Sequence, residues 1–159
     1  MRPLALLVVA VALTGCGGST KQATTAKVSA PPGPGHTLYA GGDWAVALDG
    51  DSATAFHKVG GTWKKDTSGA VKIRILGPEG TALRTPQVAA EISAAKPLIE
   101  SGMWVDGKEL PVKGGGLTTT RGTIYGAPGA PLEKGTHIAV AYGRTSEHAT
   151  AVGWTFRVK

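Results

Sequence analysis

Beyond residue 36 apolar side chains return at every second position, in short runs closed by Gly, Pro or Asp-Gly. That period is the mark of half-buried strands. Trp44, Val46 and Leu48 share one parity and lead into Asp49-Gly50, a hairpin-turn pair. Ser52 to Val59 forms the return run, Gly60-Gly61 closes it, and Trp63 begins another short strand. Residues 36–69 are therefore expected to form a β-hairpin or three-stranded meander. Val71, Ile73 and Ile75 alternate with Lys72 and Arg74 as far as Gly77-Pro78. Val88, Ala90, Ile92 and Ala94 follow behind Pro86, where the flanking prolines and the period of two favour strand over helix. Met103 and Val105 precede an Asp106-Gly107 turn, from which Leu110 returns. Ile138, Val140 and Tyr142 alternate next, and Val152, Trp154, Phe156 and Val158 make the last run. No stretch reads as a long amphipathic helix. Strands at about ten-residue spacing between turn signals predict an all-β chain with a β-sandwich over residues 70–159.

Parity also sorts the aromatic residues. Trp154 and Phe156 share a face and are expected to anchor the core. Met103 and Val105 share a face, so Trp104 points the other way. With the Met/Val face in the core, Trp104 is expected to be exposed as a contact residue. Tyr39, Trp44 and Trp63 either form an adhesive face or pack onto the sandwich. Trp44, Trp63 and Trp104 are accordingly the candidate binding face.

The first residues follow a different pattern. Arg2 gives a positive start, Leu4 to Leu13 is unbroken apolar sequence, and Thr14-Gly15 is a small-residue cleavage site. These are the three parts of a secretory signal peptide, and the run is too short to remain as a helix across a bilayer of ~30 Å. The junction Leu13-Thr14-Gly15-Cys16 resembles the bacterial lipobox, in which a Leu and two small residues precede an obligatory Cys. The resemblance implies cleavage between Gly15 and Cys16, a diacylglyceryl group on the Cys16 thiol, and acylation of the new N-terminus, with palmitate as an expected acyl group. Two acyl chains turn marginal membrane binding into stable anchoring. Cys16 is the only cysteine, so it would serve neither as nucleophile nor as metal ligand. The exported domain must then be stable without disulfides. Residues 16–35, rich in Gly, Ser, Thr, Ala and Pro, read as the lipid-bearing Cys and a flexible tether.

Composition agrees with a turn-rich β domain: 24 glycines, 10 prolines and four tryptophans in 159 residues. The formal charge is +6; removing Arg2 with the signal leaves 16 basic against 11 acidic residues, or +5. Lys and Arg are scattered, with only Lys64-Lys65 adjacent. Nucleic-acid readers show a basic stripe or stacked aromatics, so nucleic acid is not an expected partner. A mildly basic surface facing anionic lipid or wall polymer is the plainer reading.

The order VKIRILGPEGTAL, PQVAAEISA, MWVDGKEL, APLEKGTHIAVAYGR, AVGWTFRVK is similar to bacterial immunoglobulin-like domains of exported proteins. The matching positions are Val105-Asp106-Gly107, Leu132 with Gly135 and His137, and Trp154 with Phe156 and Val158. The resemblance covers about residues 70–159 and implies a fold, with His137 a structural residue where a strand opens. It implies no activity.

No catalytic constellation emerges. His36, His57, His137 and His148 lack zinc-motif spacing. A copper-type site from His36, His57 and His148 stands against the plainer reading of solvent-exposed histidines. Lys113 to Gly116 and Thr118 to Arg121 do not feed a helix as a P-loop requires, and read as a flexible loop. Serines 52, 68, 93, 101 and 146 sit in no Gly-x-Ser-x-Gly elbow. Glu79, Glu91, Glu100, Glu109 and Glu133 lie at or near turns and read as solvated. The expectation is a non-enzymatic, lipid-anchored, extracytoplasmic immunoglobulin-like module without metal or cofactor. It would mediate contacts in the cell envelope with another envelope protein or a wall polymer. The alternative is a solute- or metal-binding module using exposed Trp and His.

Overall fold

A computed structural model of the chain describes residues 35–114 and 119–159. Residues 1–34, on which the expected signal segment, Cys16 and linker fall, and residues 115–118 of the Gly/Thr stretch lie outside the described residues. Strands joined by turns and irregular loops make up the described chain, and no helix occurs in it.

The first four strands, β1 (His36–Gly41), β2 (Trp44–Asp49), β3 (Ser52–Val59) and β4 (Thr62–Lys65), form an antiparallel meander in sequence order. It has one strand more than the sequence pattern predicted. Each connection leaves two residues between paired strand ends, and glycine supplies the positive φ that such tight turns need. Gly60 and Gly61 are both left-handed, at 58° and 82°. The Asp49-Gly50 pair is used differently from expectation. Asp49 pairs with Ser52, so the loop is Gly50-Asp51, with only Gly50 at positive φ (60°). That is the type II′ pattern, with glycine in the first loop position.

The remaining strands are β5 (Val71–Gly77), β6 (Gly80–Ala82), β7 (Val88–Ala94), β8 (Glu100–Val105), β9 (Lys108–Glu109), β10 (Lys113–Gly114), β11 (Arg121–Gly126), β12 (Gly135–Arg144) and β13 (Ala149–Val158). They make two sheets, β10-β11-β7-β5 and β6-β13-β12-β8-β9. Lettered A to G along the chain, these are the D-E-B-A and G-F-C orders of an immunoglobulin-like sandwich, with β6 and β9 added at the edges of the second sheet. The short β6 runs parallel to β13, and all other pairings are antiparallel. Between the sheets lie Val71, Val88, Ala90, Ile92, Met103, Val105, Ile124, Trp154 and Phe156, all buried. The Trp154 indole N–H donates to the Pro78 carbonyl at 3.0 Å, which satisfies the polar end of this core anchor.

The meander covers the other face of the β8-β12-β13 sheet. A second core joins Trp44, Val46, Leu48 and Ala55 of the meander to Trp104, Val140, Tyr142 and Ala149 of the sandwich. The molecule thus has three layers, and the sheet in the middle is buried on both faces. This corrects the expectation for Trp104. The Met103/Val105 face is core as expected, yet Trp104 is only 3% exposed, because the meander caps the opposite face. Its ring lies across Gly102, where an added Cβ would come within 2.6 Å of it.

Candidate functional site

The three tryptophans proposed as a binding face do not form one. Trp44 and Trp104 lie in the second core, and Trp63 is buried on β4 with Lys58 Nζ 5.5 Å from its ring centroid. Trp44 is stacked between other groups: His57 lies parallel to it at 4.0 Å, and the Arg144 guanidinium sits 5.4 Å from its ring centre.

A polar cluster missed by sequence reasoning lines the rim of this second core. Arg144 and Glu100 face each other across the β12/β8 register and form an ion pair through Nε and Oε2. Tyr39 donates its hydroxyl to the other Glu100 oxygen. Burial and that bond to a carboxylate push the Tyr39 phenol up to about 12. The Tyr142 hydroxyl is buried beside them with no well-formed hydrogen bond among the described residues, and burial also raises its pKa. Glu100 and Arg144 act on it in opposite senses. The signal for this cluster is a register, 100 opposite 144, which no single-strand pattern carries.

A second cluster sits where the sequence motifs converge. Asp106 and Gly107 form a type I′ turn, both with positive φ (49° and 77°). The Asp106 carboxylate accepts from the Ile138 backbone N–H at 3.0 Å and from His137 Nδ1 at 2.7 Å. His137 Nε2 lies 2.8 Å from the Glu133 carbonyl. A carboxylate and a carbonyl can only accept, so both contacts are satisfied together when both ring nitrogens donate, an arrangement that favours the imidazole cation. Its pKa is raised accordingly, first by the bond to Asp106, against the opposing effect of burial, and then by the Glu133 carbonyl. The ring is buried against Phe156 at 5.6 Å. His137 therefore acts as a clasp between the β8–β9 turn and the approach to β12, the structural role the resemblance implied. An open groove of about 690 Å³ runs beside it, lined by the 128–133 loop and the 105–110 turn. His137 has no ring nitrogen free to act in that groove.

The other histidines do not converge. His36 packs at Gly107, His57 on Trp44, and His148 Nδ1 stands 3.4 Å from Asp66. Asp66 ties the meander's exit to the sandwich by accepting from Ser68 N–H at 2.9 Å and Ala149 N–H at 2.8 Å. Burial would raise its pKa, but those bonds and His148 outweigh it and hold the carboxyl low. Among the described residues no group of three or more His, Cys, Asp or Glu side chains is arranged to hold a metal.

The carboxylates sort into pairs. Glu133 faces Arg84 at 3.4 Å. Glu91 faces both Arg74 and Arg121, at 3.4 and 3.3 Å. The Arg74 hydrogen bond and the two positive charges depress its pKa. Lys113-Gly114 is a short strand, and Gly114 has φ 78°, with no room for a Cβ beside the Thr123 carbonyl.

No protein-family model matches the chain, and no curated protein matches it. Among solved structures the chain is similar to a tandem of titin Ig domains, at 6% identity over 76% of this chain and 75% of that one, with a TM-score of 0.40. A likeness of that size carries no argument, and the immunoglobulin-like topology rests on the strand order.

Proposed function

We propose that this chain is a non-catalytic contact module of the cell envelope, held on the extracytoplasmic side of a membrane by a lipid on Cys16. Its partner is an envelope protein or a wall polymer. The address rests on the Leu13-Thr14-Gly15-Cys16 motif, the apolar run before it and the tether after it. The observation that carries the absence of catalysis is the engagement of His137, the histidine that borders the open groove. Both of its nitrogens are bound within the fold, whereas a general base needs one free toward its substrate. Glu100, Arg144 and Tyr39 are likewise tied to one another across two layers.

The anchor is tested by growing cells with labelled palmitate and fractionating them. The wild-type chain should carry label and sediment with membranes, and Cys16→Ala should carry none. An unlabelled wild-type chain, or equal labelling of the variant, would end the anchored reading.

A further inference from the structure

With both faces of the middle sheet covered, the free sheet face among the described residues of the sandwich is the outward side of β10-β11-β7-β5. Parity places Lys72 and Arg74 of β5 on it, and Arg121 of β11 follows because it pairs with Ser93, the partner of Lys72. Lys113 of β10 joins them through its pairing with Tyr125. The Arg74 and Arg121 side chains are 66% and 71% exposed, although both reach the single carboxylate of Glu91. Four cations against that one carboxylate leave the face at +3. Two apolar side chains rise among them, Leu76 at 43% and Tyr125 at 37% exposure.

We propose that this face docks on an anionic lipid bilayer, with the cations at the phosphate level and Leu76 and Tyr125 entering the headgroup layer. Charge complementarity selects an anionic surface. The interleaved leucine and tyrosine select a bilayer over a soluble polyanion, because apolar and aromatic groups gain free energy at the headgroup–acyl boundary and gain little on a hydrated phosphate chain. A face of modest charge is sufficient for a tethered domain, whose effective concentration at the surface is on the order of millimolar. The inference takes its setting from the anchored reading above, but its test does not use the lipid.

The full chain carrying Cys16→Ala is sedimented with phosphatidylglycerol or phosphatidylcholine vesicles at low and high salt. The leader segment is common to every variant, so differences report the face. Binding should require phosphatidylglycerol and weaken with salt. Lys72→Ser with Lys113→Ser touches no ion pair and should lower the partition coefficient about twenty-five-fold, from about fivefold for each cation at an anionic surface. Leu76→Ser should lower it several-fold at both salt concentrations. Unchanged binding by the double lysine variant, or a loss of the same size on phosphatidylcholine, would overturn the proposal. So would capture by soluble polyglycerol phosphate without capture by vesicles, which would assign the face to a wall polymer. Failure here leaves the palmitate result untouched, so the two readings fail separately.

Discussion

Toward the β5-bearing sheet, the middle sheet presents Met103, Val105, Ala139, Ala141, Trp154 and Phe156. Toward the meander it presents Trp104, Ile138, Val140, Tyr142, Ala149 and Ala151. The two faces divide large and small side chains in opposite ways. Strand β12 gives its alanines to the sandwich and its large residues to the meander, whereas β13 gives Trp154 and Phe156 to the sandwich and its alanines to the meander. Each face therefore holds one bulky strand beside one slim strand, and each neighbouring layer approaches closely over the slim one. Ile92 comes down on Gly143, and the backbone at Asp51 comes down on Gly153. The faces also differ in polarity. Apart from the His137 clasp at its end, the sandwich core is apolar, whereas the meander core carries the Tyr39–Glu100–Arg144 rim and the buried Tyr142 hydroxyl. The second resembles an interface, with an apolar centre and a polar margin.

If the meander is as much a part of the fold as the sandwich, truncation in either core should cost alike. Trp104→Ala and Met103→Ala remove adjacent side chains that face opposite layers, both buried. Each should lower stability by several kcal/mol, about 3–5 for the tryptophan and about 2–5 for the methionine. Urea unfolding followed by circular dichroism should give a single transition in both. A loss under 1 kcal/mol for Trp104→Ala, or a separate early transition, would show that the meander docks loosely.

How far these faces were legible in the sequence follows from the same residues. Alternation located β2, β3, β5 and β7 to within a residue or two, because their faces differ in character, and found the end of β13 but not its start at Ala149. The run Ile138-Ala139-Val140-Ala141-Tyr142 is apolar at every position, which is how a strand buried on both sides reads. Taking the larger residues as its core side assigned only one face. Trp104 was misplaced for the same reason, since parity says that two side chains point apart and says nothing about what covers each. The Val-Asp-Gly and Leu-x-x-G-x-H motifs were both visible, but their union through Asp106 and His137 depends on the β8/β12 register. Turn chemistry was read well at Asp106-Gly107 and one residue off at Asp49-Gly50, because either Gly-Asp or Asp-Gly can make a two-residue loop.

The close approaches supply a matched pair of smaller tests. A Cβ at Gly153 would lie 2.2 Å from the Asp51 carbonyl oxygen, and one at Gly143 would lie 2.7 Å from the Ile92 Cγ2 methyl. Backbone in a tight turn has little room to yield, whereas a side-chain methyl can rotate or shift. Gly153→Ala should therefore cost about 2–3 kcal/mol and Gly143→Ala about 1, within the usual range for overpacking. Thermal or urea midpoints would rank them. The reverse order would mean that the meander adjusts more easily than the sandwich core, and that the polar rim rather than close packing fixes its position.

The smallest effect separates the faces by pH. The meander face has no phenol that ionises near neutrality, since Tyr39 is pushed up to about 12 and burial raises Tyr142 as well. The clasp at the end of the sandwich face does titrate, because the pKa of His137 is raised above its ordinary value. Its protonated form is the one the fold favours, so its contribution is fully present below the unfolded value of about 6.5. That contribution is lost as pH climbs through the raised folded value. The urea midpoint should accordingly fall between pH 6 and pH 9. Asp106→Asn keeps an oxygen acceptor and tolerates positive φ, yet removes the charge that favours the cation, so its fall should be shallower. A midpoint that stays flat or rises would mean that His137 is held neutral, and an equal fall in the variant would mean that the Asp106 charge does not set the pH dependence.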